Sequence, residues 1–272
     1  MPFEYKKVLL IGATSGIGEA LAAKMVAEGV KVVVVGRRQD KLDAFVQKHG
    51  SDKATAYAFD ITKLSEIKKF AADVTAAHPD IDSVFLNSGI QRGMNFQKPE
   101  SIDLDIFEQE LTTNYTSFIH LTVALLPFLQ RKKTRTSIIY TTSGLALTPM
   151  VRCPNYCSTK AALHHFILVL RQQMVDGGFN VQVVEIFPPA VQTELHDAEV
   201  QPDIKDGRSV GMPLADFVND TWAGLDAGKD QIPVGTSKMS FDSWEQDRQK
   251  GFAKMSEHLS EFTQNFYKHG EA

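Results

Sequence analysis

Apolar residues fall along this chain in two alternating rhythms. Short runs rich in β-branched residues (Val8 to Ile11, Val32 to Val35, Ala56 to Phe59, Val84 to Leu86, Ser137 to Tyr140 and Val181 to Ile186) are separated by longer stretches with helical spacing. Strands that are apolar at every position belong to a sheet buried on both faces, and regular alternation with helices makes that sheet parallel. The pattern predicts a doubly wound (Rossmann) α/β fold, with a seventh strand at Gln231 to Val234. The polar, Pro- and Gly-bearing stretch 196–213 reads as an insertion at the carboxyl edge of the sheet, a lid over about 195–215. Residues 1–272 read as one domain that ends in a helix over about 241–268.

Length and charge then narrow the partners. A chain of 272 residues buries one large core without cross-links. Its 29 Lys and Arg stand against 33 Asp and Glu, a net charge of −4. With no single-sign block along the chain, neither nucleic acid nor an anionic membrane is an expected partner. No run approaches the ~20 apolar residues of a membrane span, and Met1 to Lys7 lacks the apolar stretch of a signal peptide. Cys153 and Cys157 have no second pair or His cluster at zinc-finger spacing, so they read as reduced, packed thiols; His164 and His165 read as structural. A cytoplasmic protein without a metal is expected.

The first strand runs into Gly12-Ala13-Thr14-Ser15-Gly16-Ile17-Gly18 and then into a helical segment. Glycines at such a turn let the backbone approach a pyrophosphate, whose charge meets the free N–H groups and positive dipole end of the helix. The second strand ends at Gly36-Arg37-Arg38, about twenty residues on. An acidic residue there would bind a ribose 2′-hydroxyl, whereas Arg accommodates a 2′-phosphate. Arg37 and Arg38 therefore favour NADP(H) over NAD(H), with Asp40 a weaker counter-signal.

Tyr156 and Lys160 stand four apart at the head of an apolar helix, Ala161 to Leu170, so both side chains share one face. An ammonium near 4 Å from a phenolate is worth at most ~4 kcal/mol at an effective dielectric near 20, up to ~3 units off a phenol pKa of ~10. Such a phenol passes a proton near neutral pH. Ser143 lies thirteen residues before Tyr156, at the carboxyl end of a predicted strand where these sheets place ligands, and its hydroxyl suits a substrate oxygen.

With these motifs in order, the chain resembles the short-chain dehydrogenase/reductase family, in its compact single-domain branch, from about Lys7 to about Gly235. The family's glycine motif is met by Gly12, Gly16, Ile17 and Gly18, with Ile11 in place of its Thr and with Thr14 and Ser15 inside the loop. Its strand-three acid corresponds to Asp60, followed by Ile61, and its N-N-A-G segment to Leu86-Asn87-Ser88-Gly89, lacking the first Asn. Its catalytic Asn matches Asn114, and its Ser and Y-x-x-x-K signature match Ser143, Tyr156 and Lys160. Its P-G-x-V-x-T segment is similar to Pro188-Pro189-Ala190-Val191-Gln192-Thr193, where Pro189 replaces Gly. A basic residue frequent before the second glycine of NADP-preferring relatives is here Ser15, so specificity leans on Arg37 more than on Arg38.

The resemblance implies hydride transfer between nicotinamide and a carbonyl or secondary alcohol, in the manner of a ketone or aldehyde reductase. Tyr156 would be the general acid, Lys160 would lower its pKa and hold the nicotinamide ribose, Ser143 would hold the carbonyl oxygen, and Asn114 would support a proton-relay water. It also implies a homodimer or homotetramer, built on the helices bearing Asn114 and Lys160; burial of the latter under the C-terminal helix is the alternative cover. Leu145, Met150, Val151 and the lid suggest an apolar substrate pocket. The stripe Trp244, Phe252, Met255, Leu259, Phe262 and Phe266 suits a packing helix or a subunit contact. Other classes remain: an NADP(H) sensor without turnover, which would need only the phosphate loop and Arg37, and an epimerase or dehydratase, whose relatives usually carry a larger C-terminal substrate domain.

Overall fold

The structure is a computed structural model that describes residues 3–263, with side chains described through 259. Seven parallel strands form its sheet: β1 (Lys7–Ile11), β2 (Lys31–Gly36), β3 (Ala54–Ala58), β4 (Ser83–Leu86), β5 (Thr136–Thr141), β6 (Val181–Phe187) and β7 (Gln231–Pro233). Their spatial order is β3-β2-β1-β4-β5-β6-β7, so successive strands are added first on one side of β1 and then, from β4, on the other. Ligands of such sheets bind in the crevice at that switch point. The strands coincide with the predicted ones to within two residues at each end; β3 begins at Ala54 because it pairs with β2 from Val32 onward.

Alternate residues of each strand feed two cores, which is why the strands read as continuously apolar. Leu9, Val33, Val84 and Ile138 meet one core with α3 (Ile67–Ala77), α5 (Ser117–Gln130) and α6 (Pro154–Asp176). Val8, Val34, Phe85 and Ile139 meet the other with α1 (Gly16–Ala27), α2 (Gln39–His49) and α7 (Leu214–Asp226). Fully burying each such side chain contributes about 1.5–3 kcal/mol. On the α6 face, α4 (Leu104–Leu111) joins α5 through a π-helical turn, Thr112–Thr116, that carries Asn114.

The predicted C-terminal helix is divided. A short helix α8 (Ser237–Ser240) passes through a π-helical turn, Phe241–Glu245, into α9 (Gln246–Thr263). Its apolar stripe does not pack as a core-facing stripe: Trp244, Met255 and Leu259 are exposed. Phe266 lies outside the described residues, and so does the side chain of Phe262. No described helix is long and apolar enough to cross a membrane.

Candidate active site

A cavity of about 870 Å³ opens along the carboxyl ends of the strands. Its wall takes in every residue assigned above to the cofactor or to chemistry except Gly18 and Asn114, which support the wall from behind.

The glycine-loop end of the cavity is built from backbone. Gly12 turns with φ +91°, and a Cβ there would stand 2.5 Å from the Ser88 nitrogen. A Cβ on Gly18 would collide with the Gly12 carbonyl oxygen and with Asn87. The loop therefore lies flat only with glycine at these positions, and it leads into α1, whose first N–H groups receive no side-chain cap from Ser15. Asn87 donates to the Gly12 carbonyl at 3.1 Å and accepts from Thr141 Oγ1 at 2.9 Å, tying β1, β4 and β5 together where the first family Asn is missing.

The two arginines at the end of β2 are not equivalent. Arg38 is spent within the protein: it donates to the Thr14 carbonyl at 3.0 Å and to Glu194, at the entrance to the lid, at 3.0 Å. Arg37 lines the cavity and makes no ion pair among the described residues. Asp60 lies nearby, its Oδ1 gripped by the Thr62 N–H at 3.0 Å and hydroxyl at 2.8 Å. Burial pushes its carboxyl up, and the Thr62 bonds with the Arg37 charge outweigh that and hold it low.

The middle of the cavity carries Ser143, Tyr156 and Lys160. Ser143 begins a 3-10 turn after β5 and accepts from the Leu145 N–H at 3.0 Å; the Gly144 N–H donates to the Pro188 carbonyl at 2.8 Å and locks that turn to the end of β6. Tyr156 is 7% exposed, with the Ser143 hydroxyl against its phenol. Lys160 donates to the Thr141 carbonyl at 2.9 Å and stands 5.6 Å from the Tyr156 ring centroid. Behind them Asn114 is clamped to the Ile90 backbone, accepting from its N–H and donating to its carbonyl, both at 2.9 Å.

The electrostatics correct one expectation. The Tyr156 phenol is pushed well up, not down, because burial outweighs the pull of the Ser143 hydroxyl. Burial also pushes Lys160 itself down to about 8, against the raising influence of Glu185 and Glu110. Tyr156 thus holds its proton at neutral pH.

Side chains build the lid end of the cavity. The lid leaves and rejoins the body at a single parallel bridge, Val191 to Met212. Gln201, 1% exposed, pins it by donating to the Leu195 carbonyl at 2.6 Å and to Gln91 Oε1 at 3.3 Å. Arg152 donates to Gln201 Oε1 at 2.6 Å and to Asp203 at 2.7 Å. Leu145 and Met150 line the cavity as expected, whereas Val151 is 97% exposed and stands off its wall.

Several residues here carry no local sequence motif. Arg92 lines the cavity, its guanidinium bonded to the Gln91 carbonyl at 2.8 Å and in no ion pair among the described residues. Glu110, fully buried, accepts from the Arg92 N–H at 2.8 Å and from Asn155 at 2.7 Å. Burial raises its carboxyl to about 7 against those bonds. The one available signal was a glutamate four residues before Asn114, on the same helical face. Cys153 and Cys157 pack as free thiols around Tyr156, their sulfurs 3.9 Å apart.

A family model for short chain dehydrogenase matches residues 6–203. Among curated proteins, the oxidoreductase DltE of Bacillus subtilis is 31% identical over 226 residues, covering 83% of this chain and 86% of that protein. The NADP-dependent 3-hydroxy acid dehydrogenase YdfG of Salmonella typhi is 32% identical over 184 residues, 68% and 72% of the two chains. The solved closed form of a serine dehydrogenase complexed with NADP+ superposes with a TM-score of 0.73 at 26% identity, over 84% of this chain and 94% of that one. A short chain dehydrogenase/reductase from Burkholderia phymatum in complex with NAD gives a TM-score of 0.75 at 19% identity, over 86% and 90%, a likeness of fold.

Proposed function

The chain belongs to the short chain dehydrogenase family, and we propose that within it this protein is an NADP(H)-dependent reductase of ketones or aldehydes. The observation that carries the reading is one continuous cavity with the glycine cradle and Arg37 at one end and Ser143, Tyr156 and Lys160 in the middle. The cradle fits a pyrophosphate because glycine at Gly12 and Gly18 lets the loop lie tight against the strand ends, and the Arg37 guanidinium, in no ion pair among the described residues, fits a 2′-phosphate. When bound, the nicotinamide nucleotide supplies or accepts the hydride.

The chain's own residues do the rest. Ser143 donates a hydrogen bond to the carbonyl oxygen, and Tyr156 passes its phenolic proton to that oxygen as charge develops there. The phenol carries its proton at neutral pH, the state a donor needs in the reductive direction. Lys160 holds the nicotinamide ribose and stabilises the phenolate left behind, and Asn114, with the Ile90 carbonyl it fixes, supports the return of a proton from solvent. Residues 1–272 act as one catalytic unit in the reducing cytoplasm. The exposed Val123 and Val169 on α5 and α6 favour a homodimer or homotetramer as their cover.

Arg92 favours a second reading of the substrate. Its cation on the substrate wall suits a carboxylate, as in a small 3-hydroxy or 3-oxo acid, the class for which one relative is named. The test is loss of NADPH absorbance across ketones, diketones, aldehydes and 3-oxo acids, repeated with NADH. Turnover that prefers NADPH is expected; tight NADPH binding with no turnover anywhere on the panel would replace the reductase with a nucleotide sensor.

A further inference from the structure

Behind the catalytic wall lies a row of buried charged side chains that the reaction above does not use. Glu185 stands on β6 with no exposure, in a strand otherwise apolar apart from Gln182. Its Oε1 accepts from the Thr142 hydroxyl at 2.8 Å, one residue before Ser143. Both its oxygens lie 2.9 Å from Nδ1 of His164, one helical turn after Lys160. The far side of the His164 ring meets the C-terminal segment: Nε2 is 2.9 Å from Glu245, also fully buried, which Arg248 and Gln249 grip at 2.7 and 2.6 Å.

That segment also forms the substrate-side wall. Ser237 and Ser240 line the cavity, Ser240 shares a 2.7 Å hydrogen bond with Thr148, and Phe241 packs on Phe187 and Leu147. Buried carboxylates are costly, and replacing a buried ion pair by apolar side chains of similar volume is often neutral or stabilising. Charge at this place therefore calls for a reason beyond holding the fold.

We propose that Glu185 and His164 are positioning residues of the active site. They bolt the end of β5, where Ser143 stands, to the helix that carries Tyr156 and Lys160, and they anchor both to the C-terminal segment that closes the substrate side of the cavity. Glu185 is also the buried anion nearest in charge influence to Lys160, ahead of Glu110.

The protonation of His164 decides how the bolt closes. Nε2 has two mutually exclusive partners: Glu245 when it carries a proton, and the Arg248 guanidinium, 2.7 Å away, when it does not. The groups facing it are Glu185 from β6, Glu245 and Arg248 from the C-terminal segment, and Lys160 and His165 on its own helix. Burial lowers the imidazole, but the two carboxylates outweigh it and raise it to about 9. The stabilisation is therefore complete below the ordinary histidine value near 6.5 and is lost as pH rises through about 9.

The test compares the full chain with Glu185→Gln and His164→Gln, which keep the size and most hydrogen bonds but drop the charge. The catalytic half of the test rests on the reductase reading. With NADPH and the best panel substrate, Glu185→Gln is expected to lower kcat about tenfold and to leave KM for NADPH within about threefold. It should also move the alkaline limb of the rate profile about one unit down, since Lys160 loses an anion that holds its proton. A wild-type profile and kcat in both folded variants would overturn the positioning role. The second arm needs no turnover: by NMR the His164 imidazole of the wild type should titrate well above 7, and in Glu245→Gln it should fall toward the ordinary range. A wild-type His164 that titrates at or below about 6.5 would overturn the bolt whether or not the protein is a reductase.

Discussion

The two ends of the cavity are made of different material. At the nucleotide end the wall is backbone: a flat glycine loop, strand ends in fixed register, and one cross-strand amide, Asn87. At the substrate end the wall is side chain: Gln91, Arg152 and Gln201 hold a lid whose one strand-like tie among the described residues is the Val191 to Met212 bridge. Backbone walls are specified by where glycine is tolerated and change little when neighbouring side chains vary. Side-chain walls can be rebuilt one residue at a time, so a common nucleotide end can serve many substrates.

The sharpest way to break the contrast is at Gly18. A Cβ there meets the Gly12 carbonyl, which has no room to yield. Gly18→Ala is expected to weaken NADPH binding about a hundredfold, measured by fluorescence titration, because overpacking at a backbone contact costs about 1–3 kcal/mol. Arg37→Ala comes next: it should cut the preference for NADPH over NADH about tenfold with little effect on NADH, since one charge-assisted contact to phosphate is removed. An unchanged preference would move the 2′-phosphate away from Arg37.

The smallest effect is expected at the lid. Gln201→Ala removes its bonds to Leu195, Gln91 and Arg152 and should raise KM for the carbonyl substrate about fivefold, leaving NADPH affinity as it was. A loss of nucleotide affinity instead would show that the two ends are mechanically one. Arg38 is where such coupling could travel, because it joins Thr14 of the phosphate loop to Glu194 at the entrance to the lid.

The same contrast explains what could be seen in the sequence. The strands, the glycine loop and the Arg37 position were legible because each rests on residues within a few places of one another. Ser143 and Tyr156 were legible by motif, but the state of the phenol was not: spacing gave a close Lys160, while burial, a property of the whole fold, decides the direction. Arg92 and Gln201 were silent because only the fold brings them to the cavity and to partners such as Gln91, 110 residues from Gln201, and Glu110 showed only its spacing from Asn114. Glu185 did leave a trace, as a charge within the apolar run of a fully buried strand, and His164 lies one turn from Lys160. Together they point to a buried pair that only the fold brings to 2.9 Å.

The central claim is that Tyr156, whose buried phenol holds its proton at neutral pH, donates that proton in carbonyl reduction. Its most direct test is NADPH consumption by the wild type and by Tyr156→Phe, with nucleotide affinity measured on both. The account predicts a loss of at least about a hundredfold in turnover, with NADPH affinity within about threefold because the cradle and Arg37 are untouched. Turnover within a few-fold of wild type, at unchanged affinity, would contradict it and require another proton donor on that wall.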